Sequence, residues 1–212
     1  MTHSISILSC YISRTLVVAA FLMSVSPVPS HANSEVISVI PFLLDDAGGT
    51  DPSTLLNDFT TERMTFFTYS GGGAELSVGL EVVSDTDVVA RPNQVGDESV
   101  LKVDADITTG WGGLGDQGTW DFTNVASFDF WMRGTNSGGD FAVELQSGGS
   151  NANSIRATVV DDFSGWRLVQ VPLSSFSAQN GVYVPSDTTA WIFVLDGFNS
   201  LLYFDDVGFT PN

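Results

Sequence analysis

Short runs of alternating apolar and polar residues follow one another along most of this chain, and Gly, Asn, Asp or Pro interrupts them about every ten residues. A side-chain period of two puts one residue set on each face of an extended strand, so the pattern predicts many short strands and no long helix. The strands expected are EVISVI (35–40), STLLNDFT (53–60), RMTFFTY (63–69), AELSVGLEVV (74–83), ESVLKVDA (98–105), GTWDF (118–122), ASFDFWMRG (126–134), DFAVELQS (140–147), SIRATVV (154–160), GWRLVQVP (165–172), AWIFVLDG (190–197) and LLYFDDVGF (201–209). Turn sequences such as SGGG (70–73), RPNQVGD (91–97), GTNSGG (134–139) and SGGSNANS (147–154) separate them. This is the layout of an all-β sandwich or barrel. Nothing repeats at a fixed interval, which argues against a propeller or solenoid.

Alternation also assigns faces. In ASFDFWMRG, Phe128, Phe130 and Met132 share one face, and Asp129, Trp131 and Arg133 share the other. In DFAVELQS, Phe141, Val143 and Leu145 point one way, and Ala142, Glu144 and Gln146 the other. The first face of each strand is core. The second carries an aromatic plate, a guanidinium, carboxylates and an amide. Two readings are open: a solvated outer sheet with one amphipathic tryptophan, or a sugar site, where a ring stacks on a pyranose and planar polar groups bind its hydroxyls. Trp166 and Trp191 stand in dense apolar runs and are expected in the core; Trp120 fits either place.

The amino terminus changes the inventory of chemistry. Arg14 precedes an apolar stretch, TLVVAAFLMSV (15–25), that is too short to span a bilayer, and Ser30-His31-Ala32 offers small residues at a cleavage site. Residues 1–32 are therefore expected to be a secretory signal peptide and 33–52 a lead-in segment, with one β-domain over 53–212. Cys10, His3 and His31 are the only cysteine and histidines, and all three leave with the signal. What remains has no Cys nucleophile, no Ser-His-Asp triad, no disulfide and no ordinary zinc site. The formal charge is −18, and Lys102 is the only lysine. No basic patch for nucleic acid can be assembled, and anionic membrane surfaces are disfavoured. The many aspartates in Gly/Ser/Thr/Asn-rich turns suit solubility and also suit hard cations with oxygen ligands.

NDFT (57–60), SVLKVDAD (99–106), VASFDFWMRG (125–134), FSGWRLVQVPLSSF (163–176) and LLYFDDVGF (201–209), taken in that order, resemble the non-catalytic carbohydrate-binding modules of family 11 and related jelly-roll modules of galactose-binding-like architecture. The domain related to complex I intermediate-associated protein 30 uses similar strand idioms. The resemblance implies a two-sheet antiparallel β-sandwich, one sheet of which forms an open cleft for a polysaccharide or oligosaccharide chain. It also implies a structural calcium ion held near the first and last strands. Asp205 and Asp206 stand side by side in a strand that otherwise wants burial, and a buried carboxylate is costly without a partner. Calcium bound by Asp205, with Asp58 and backbone carbonyls, would satisfy it, while Asp206 turns outward or binds backbone; the alternative is that both acids cap a strand end or bond turn amides. Asp104 and Asp106 are weaker candidates.

For the ligand face the resemblance implies aromatic, charged and amide groups, which by alternation are Trp131, Arg133, Glu144, Gln146 and Asp129. Trp111, between glycines in a loop, and Tyr183 in NGVYVP are expected beside them. Three functions follow. The first is a secreted, calcium-stabilised carbohydrate-binding protein, beside a separately encoded glycan-degrading enzyme. The second is a glycosidase using a Glu144–Asp129 carboxylate pair. The third is a structural or partner-binding role like that of the intermediate-associated domain.

Overall fold

The computed structural model describes residues 52–59, 66–82, 91–92 and 99–212. The expected signal peptide, EVISVI and the lead-in up to residue 51 lie outside these residues. The strands are β1 (Thr54–Asn57), β2 (Phe66–Gly71), β3 (Glu75–Val82), β4 (Ser99–Asp106), β5 (Trp111–Trp120), β6 (Val125–Thr135), β7 (Asp140–Ser147), β8 (Ser150–Val160), β9 (Ser164–Pro172), β10 (Ser177–Asn180), β11 (Thr188–Val194) and β12 (Asn199–Pro211). Two single 3-10 turns, Leu173–Ser175 and Pro185–Asp187, are the helical pieces among the described residues.

Two six-stranded sheets result, and neighbouring strands pair antiparallel throughout. The first runs β3-β4-β12-β6-β9, with β1 also paired to β12; the second runs β10-β8-β7-β11-β5-β2. At 13 residues β12 is long enough to serve three partners. Asn199–Phe204 pair with β4 and Val207–Phe209 with β1, while β6 takes the other edge. The described residues form an antiparallel β-sandwich of jelly-roll type.

The inward faces are those the alternation predicts. Phe128, Phe130 and Met132 of β6 and Phe141, Val143 and Leu145 of β7 are all buried. Phe193 of β11 stacks on Phe204 of β12 with ring centroids 4.4 Å apart, and Phe130 meets the edge of Phe193 at 4.9 Å, so aromatic contacts join the two sheets. Each such ring, fully buried, contributes roughly 2–3 kcal/mol of transfer free energy. Trp191 lies in this core and Trp120 packs against it, but Trp166 does not: it sits half-buried with Val100, Leu201 and Tyr203 in a separate cluster.

Three boundaries differ from expectation. TTGWGGLGD, expected as a loop, forms most of β5. Its glycines permit this, since a Cβ on Gly115 would stand 2.0 Å from the Trp191 carbonyl oxygen of β11. Glycine inside a strand marks such a close backbone approach, and composition alone hides it. The expected turn 147–154 shrinks to Gly148 and Gly149, both at positive φ, and the strand resumes at Ser150. Finally, SAQN forms the short edge strand β10, whose four exposed residues carry no burial pattern to read.

Candidate functional site

The outer face of the second sheet carries a trough of about 460 Å³. Its floor is apolar and low: Ala190, Ile192 and Val194 of β11 are buried there, with Ala142 and Tyr69 packed against them. Six strands about 4.8 Å apart make this face roughly 24 Å wide.

At the β2/β5 end stand two aromatic plates. Trp111 is half exposed, and its ring lies 5.6 Å from that of Tyr69, the planes inclined by 32°. Both lie down on the sheet because their cross-strand partners are glycines. Gly71 opposes Trp111 and Gly113 opposes Tyr69. A Cβ on Gly71 would fall 2.5 Å from the Trp111 ring, and one on Gly113 would fall 2.7 Å from the Tyr69 hydroxyl. Burial, then the charges of Asp196 and Glu144, pushes the Tyr69 phenol up to about 12, so it remains a hydrogen-bond donor near neutral pH. Asp196 is fixed at the same end, its Oδ1 accepting the Gly112 amide at 3.0 Å.

Polar groups fill the middle and far end. Glu144 of β7 opposes Arg156 of β8. Its carboxylate is buried and fully engaged: Gln146 Nε2 donates to Oε1 at 2.6 Å and Arg156 Nε donates to Oε2. Glu144 thus holds Gln146 and Arg156 in place. Gln117 stands on the trough wall, and Asn151 and Asn180 close the β10 end, where Asn180 Nδ2 donates to the Asn151 carbonyl at 3.2 Å.

The structure therefore brings together Trp111, Glu144 and Gln146 of the expected ligand residues. It places the others elsewhere. β6 and β7 are consecutive in the chain but belong to different sheets, so their outward faces look to opposite sides of the sandwich. Trp131 is buried on the first sheet, only 1% exposed, with the Arg91 guanidinium 5.6 Å from its ring. Arg133 lies over Tyr203 on the same sheet. Asp129 is buried, and burial raises its carboxyl above the usual range against donors that include Thr210 Oγ1 at 2.6 Å. The Glu144–Asp129 pair required for glycosidase chemistry is therefore not assembled. Tyr183 packs against the core and bonds Thr188 Oγ1 instead of overhanging the trough. The trough residues not anticipated are Tyr69, Gln117, Asn151, Arg156, Asn180, Ile192 and Asp196. Of these, Arg156 was legible as the natural cross-strand partner of an outward Glu144.

Asp205 and Asp206 lie at a β-bulge. Asp205 opposes Trp131 and Gly208 opposes Asp129, so β12 spends one residue more than β6. Asp206 takes a φ of 43° there. Both carboxylates are buried against Arg91, whose Nε donates to Asp205 Oδ2 at 2.8 Å and whose terminal nitrogen donates to Asp206 Oδ2. Burial and the Asp206 charge push Asp205 up to about 7 against the pull of Arg91. Asp58 follows β1, near this bulge in the strand pairing, since Asn57 opposes Val207. Calcium wants six to eight oxygen ligands. Among the described residues no cluster of three or more acid, His or Cys side chains is placed to hold a metal ion. Asp205 and Asp206 instead share one buried guanidinium, which already brings positive charge to both carboxylates.

The model of a family described as carbohydrate binding domain (family 11) matches residues 49–204. The fold is similar to that of the family 11 module of a Clostridium thermocellum cellulosomal cellulase (16% identity, TM-score 0.60, covering 77% of this chain and 97% of that one). It is likewise similar to a family 11 module from Clostridium thermocellum solved with a β-1,3-1,4-mixed-linked tetrasaccharide (17%, TM-score 0.59, 77% and 98%). A family 30 module of another cellulosomal cellulase of that organism shares the fold at TM-score 0.52 and 19% identity, covering 77% of this chain and 95% of its own. No curated protein matches the chain.

Proposed function

The chain belongs to the carbohydrate-binding domains of family 11, and on that premise we propose that it is a secreted, non-catalytic protein that binds a single polysaccharide chain along the trough of its second sheet. The observation that carries this reading is the Trp111–Tyr69 pair, held flat by glycines at one end of a face whose remaining groups include amides, a guanidinium and carboxylates, with Gln146, Arg156 and Asn180 held by hydrogen bonds. Such plates offer stacking surface to pyranose rings, and the amides and Arg156 offer donors and acceptors to hydroxyls. The groups are largely pre-positioned by Glu144 and by the sheet, so little ordering is needed on binding. Affinity is modest because an open trough leaves the sugar partly hydrated. Cleavage of the glycan is left to a separate enzyme. The N-terminal segment supports secretion by its charge and apolar pattern.

Native affinity electrophoresis in gels containing different soluble polysaccharides tests this. Retardation by one class, with mixed-linkage β-glucan the first to try, and no release of reducing ends is the expected result. Trp111→Ala should weaken that retardation about tenfold, corresponding to roughly 1.4 kcal/mol of lost stacking, and leave the thermal midpoint unchanged. Free migration through every gel of a broad panel would overturn the reading.

A further inference from the structure

We infer that Arg91 is a built-in counter-cation for the Asp205–Asp206 pair, filling the place that calcium was expected to fill, so that the C-terminal strand is tied down by an ion pair internal to the chain.

In a regular strand, neighbouring side chains point to opposite faces, and two adjacent aspartates could not meet one partner. The bulge in β12 removes that obstacle. One extra residue between Asp205 and Gly208, with Asp206 turned to φ 43°, brings both carboxylates to the same guanidinium. Arginine suits this position better than lysine would, because its planar fork offers separate donors in fixed directions and it keeps its charge when buried. One edge nitrogen takes Asp205, a terminal nitrogen takes Asp206, and the other terminal nitrogen donates to the Pro92 carbonyl at 3.3 Å. The Trp131 ring packs against the same guanidinium. All four side chains are buried: Arg91 6%, Trp131 1%, Asp205 2% and Asp206 6% exposed. Two adjacent carboxylates at that burial cannot both stay ionised without a cation close by. Arg91 supplies that charge from between β3 and β4 in the sequence, more than a hundred positions upstream of the pair.

The test is the thermal midpoint of the protein, measured by calorimetry in EDTA and in millimolar calcium chloride, for the wild type, Arg91→Met, Asp205→Asn and the triple variant Arg91→Met/Asp205→Asn/Asp206→Asn. The wild-type midpoint should be the same with chelator and with calcium. Arg91→Met should lose about 10 °C, because it strands two buried carboxylates. The triple variant should regain more than half of that loss, because no charge is left to strand. A chelator-sensitive wild-type midpoint whose sensitivity disappears in Asp205→Asn would put a metal ion at this pair and overturn the inference. So would an Arg91→Met midpoint equal to that of the wild type. The wild-type measurement and the neutral triple variant decide the matter even if Arg91→Met does not fold.

Discussion

Asp161 shows what one residue can carry. It is fully buried at the end of β8 and accepts bonds from the Thr135, Asn136 and Ser137 amides and from the Thr135 and Ser137 hydroxyls, at 2.7–3.2 Å. Burial alone would raise its carboxyl, but these donors outweigh it and hold Asp161 below the usual carboxylate range. They also tie down the β6–β7 connection that separates the two sheets. Asp161→Asn should cost about 3 kcal/mol near neutral pH, since an amide accepts through one oxygen only and brings donors of its own. The sign in pH follows from the lowered value. The contribution is complete above the unfolded carboxylate pKa of about 3.9 and is lost as pH falls through the folded value. Urea unfolding at pH 7 should therefore separate wild type and variant, and the gap should shrink as pH is lowered below about 4. A gap that is constant down to pH 2.5 would show that the charge of Asp161 plays no part.

At the scale of elements, the informative residues are the ones with no side chain. β5 carries glycine where β2 lays Tyr69 across it, and β2 ends in glycine where β5 lays down Trp111. The plates are thus built by paired strands. Gly71→Ala tests this without touching either ring. Its backbone does not need a positive φ, but its Cβ would stand 2.5 Å from Trp111. The indole must tilt off the sheet. Glycan affinity should fall about tenfold, a loss of roughly 1.4 kcal/mol, while the thermal midpoint moves by no more than about 2 °C. Unchanged retardation in the affinity gel would mean that the flat seat of Trp111 does not matter to binding. The bulge in β12 is the second element-scale device. It answers why two carboxylates stand side by side in an otherwise buried strand: the extra residue lets both face one arginine.

At the scale of the whole molecule, assignment to one sheet or the other decides what each tryptophan does. Trp111 and Trp131 both project outward from their strands, yet one lies in the trough and the other is buried beneath Arg91 on the opposite side of the sandwich. The two should dissociate in experiment. Trp131→Ala should cost about 3–5 kcal/mol of stability, as large aromatic truncations in buried sites do, and leave glycan specificity intact in the folded fraction. Trp111→Ala should do the reverse. Denaturant titration and affinity electrophoresis on the same two preparations would check both arms, and loss of binding in folded Trp131→Ala would move the site to the first sheet.

The residue order by itself determined most of the strands, their inward faces and the class of fold, because a period of two and the turn residues are local properties. It also determined that residues 32–212 carry no His and no Cys, which leaves that stretch without thiol or imidazole chemistry. On β7 it located Glu144 and Gln146 correctly as outward groups. Only the tertiary structure decided which outward faces share a surface. That depends on which sheet each strand joins, and β6 and β7, neighbours in sequence, join different ones. It alone decided that the glycines of TTGWGGLGD make a strand, because the reason is the nearness of Trp191 and Tyr69. It alone paired Arg91 with Asp205 and Asp206. Periodicity reports the environment of a residue along its own strand; contacts across sheets and between distant loops are set by how the strands are ordered, and no local pattern encodes that order.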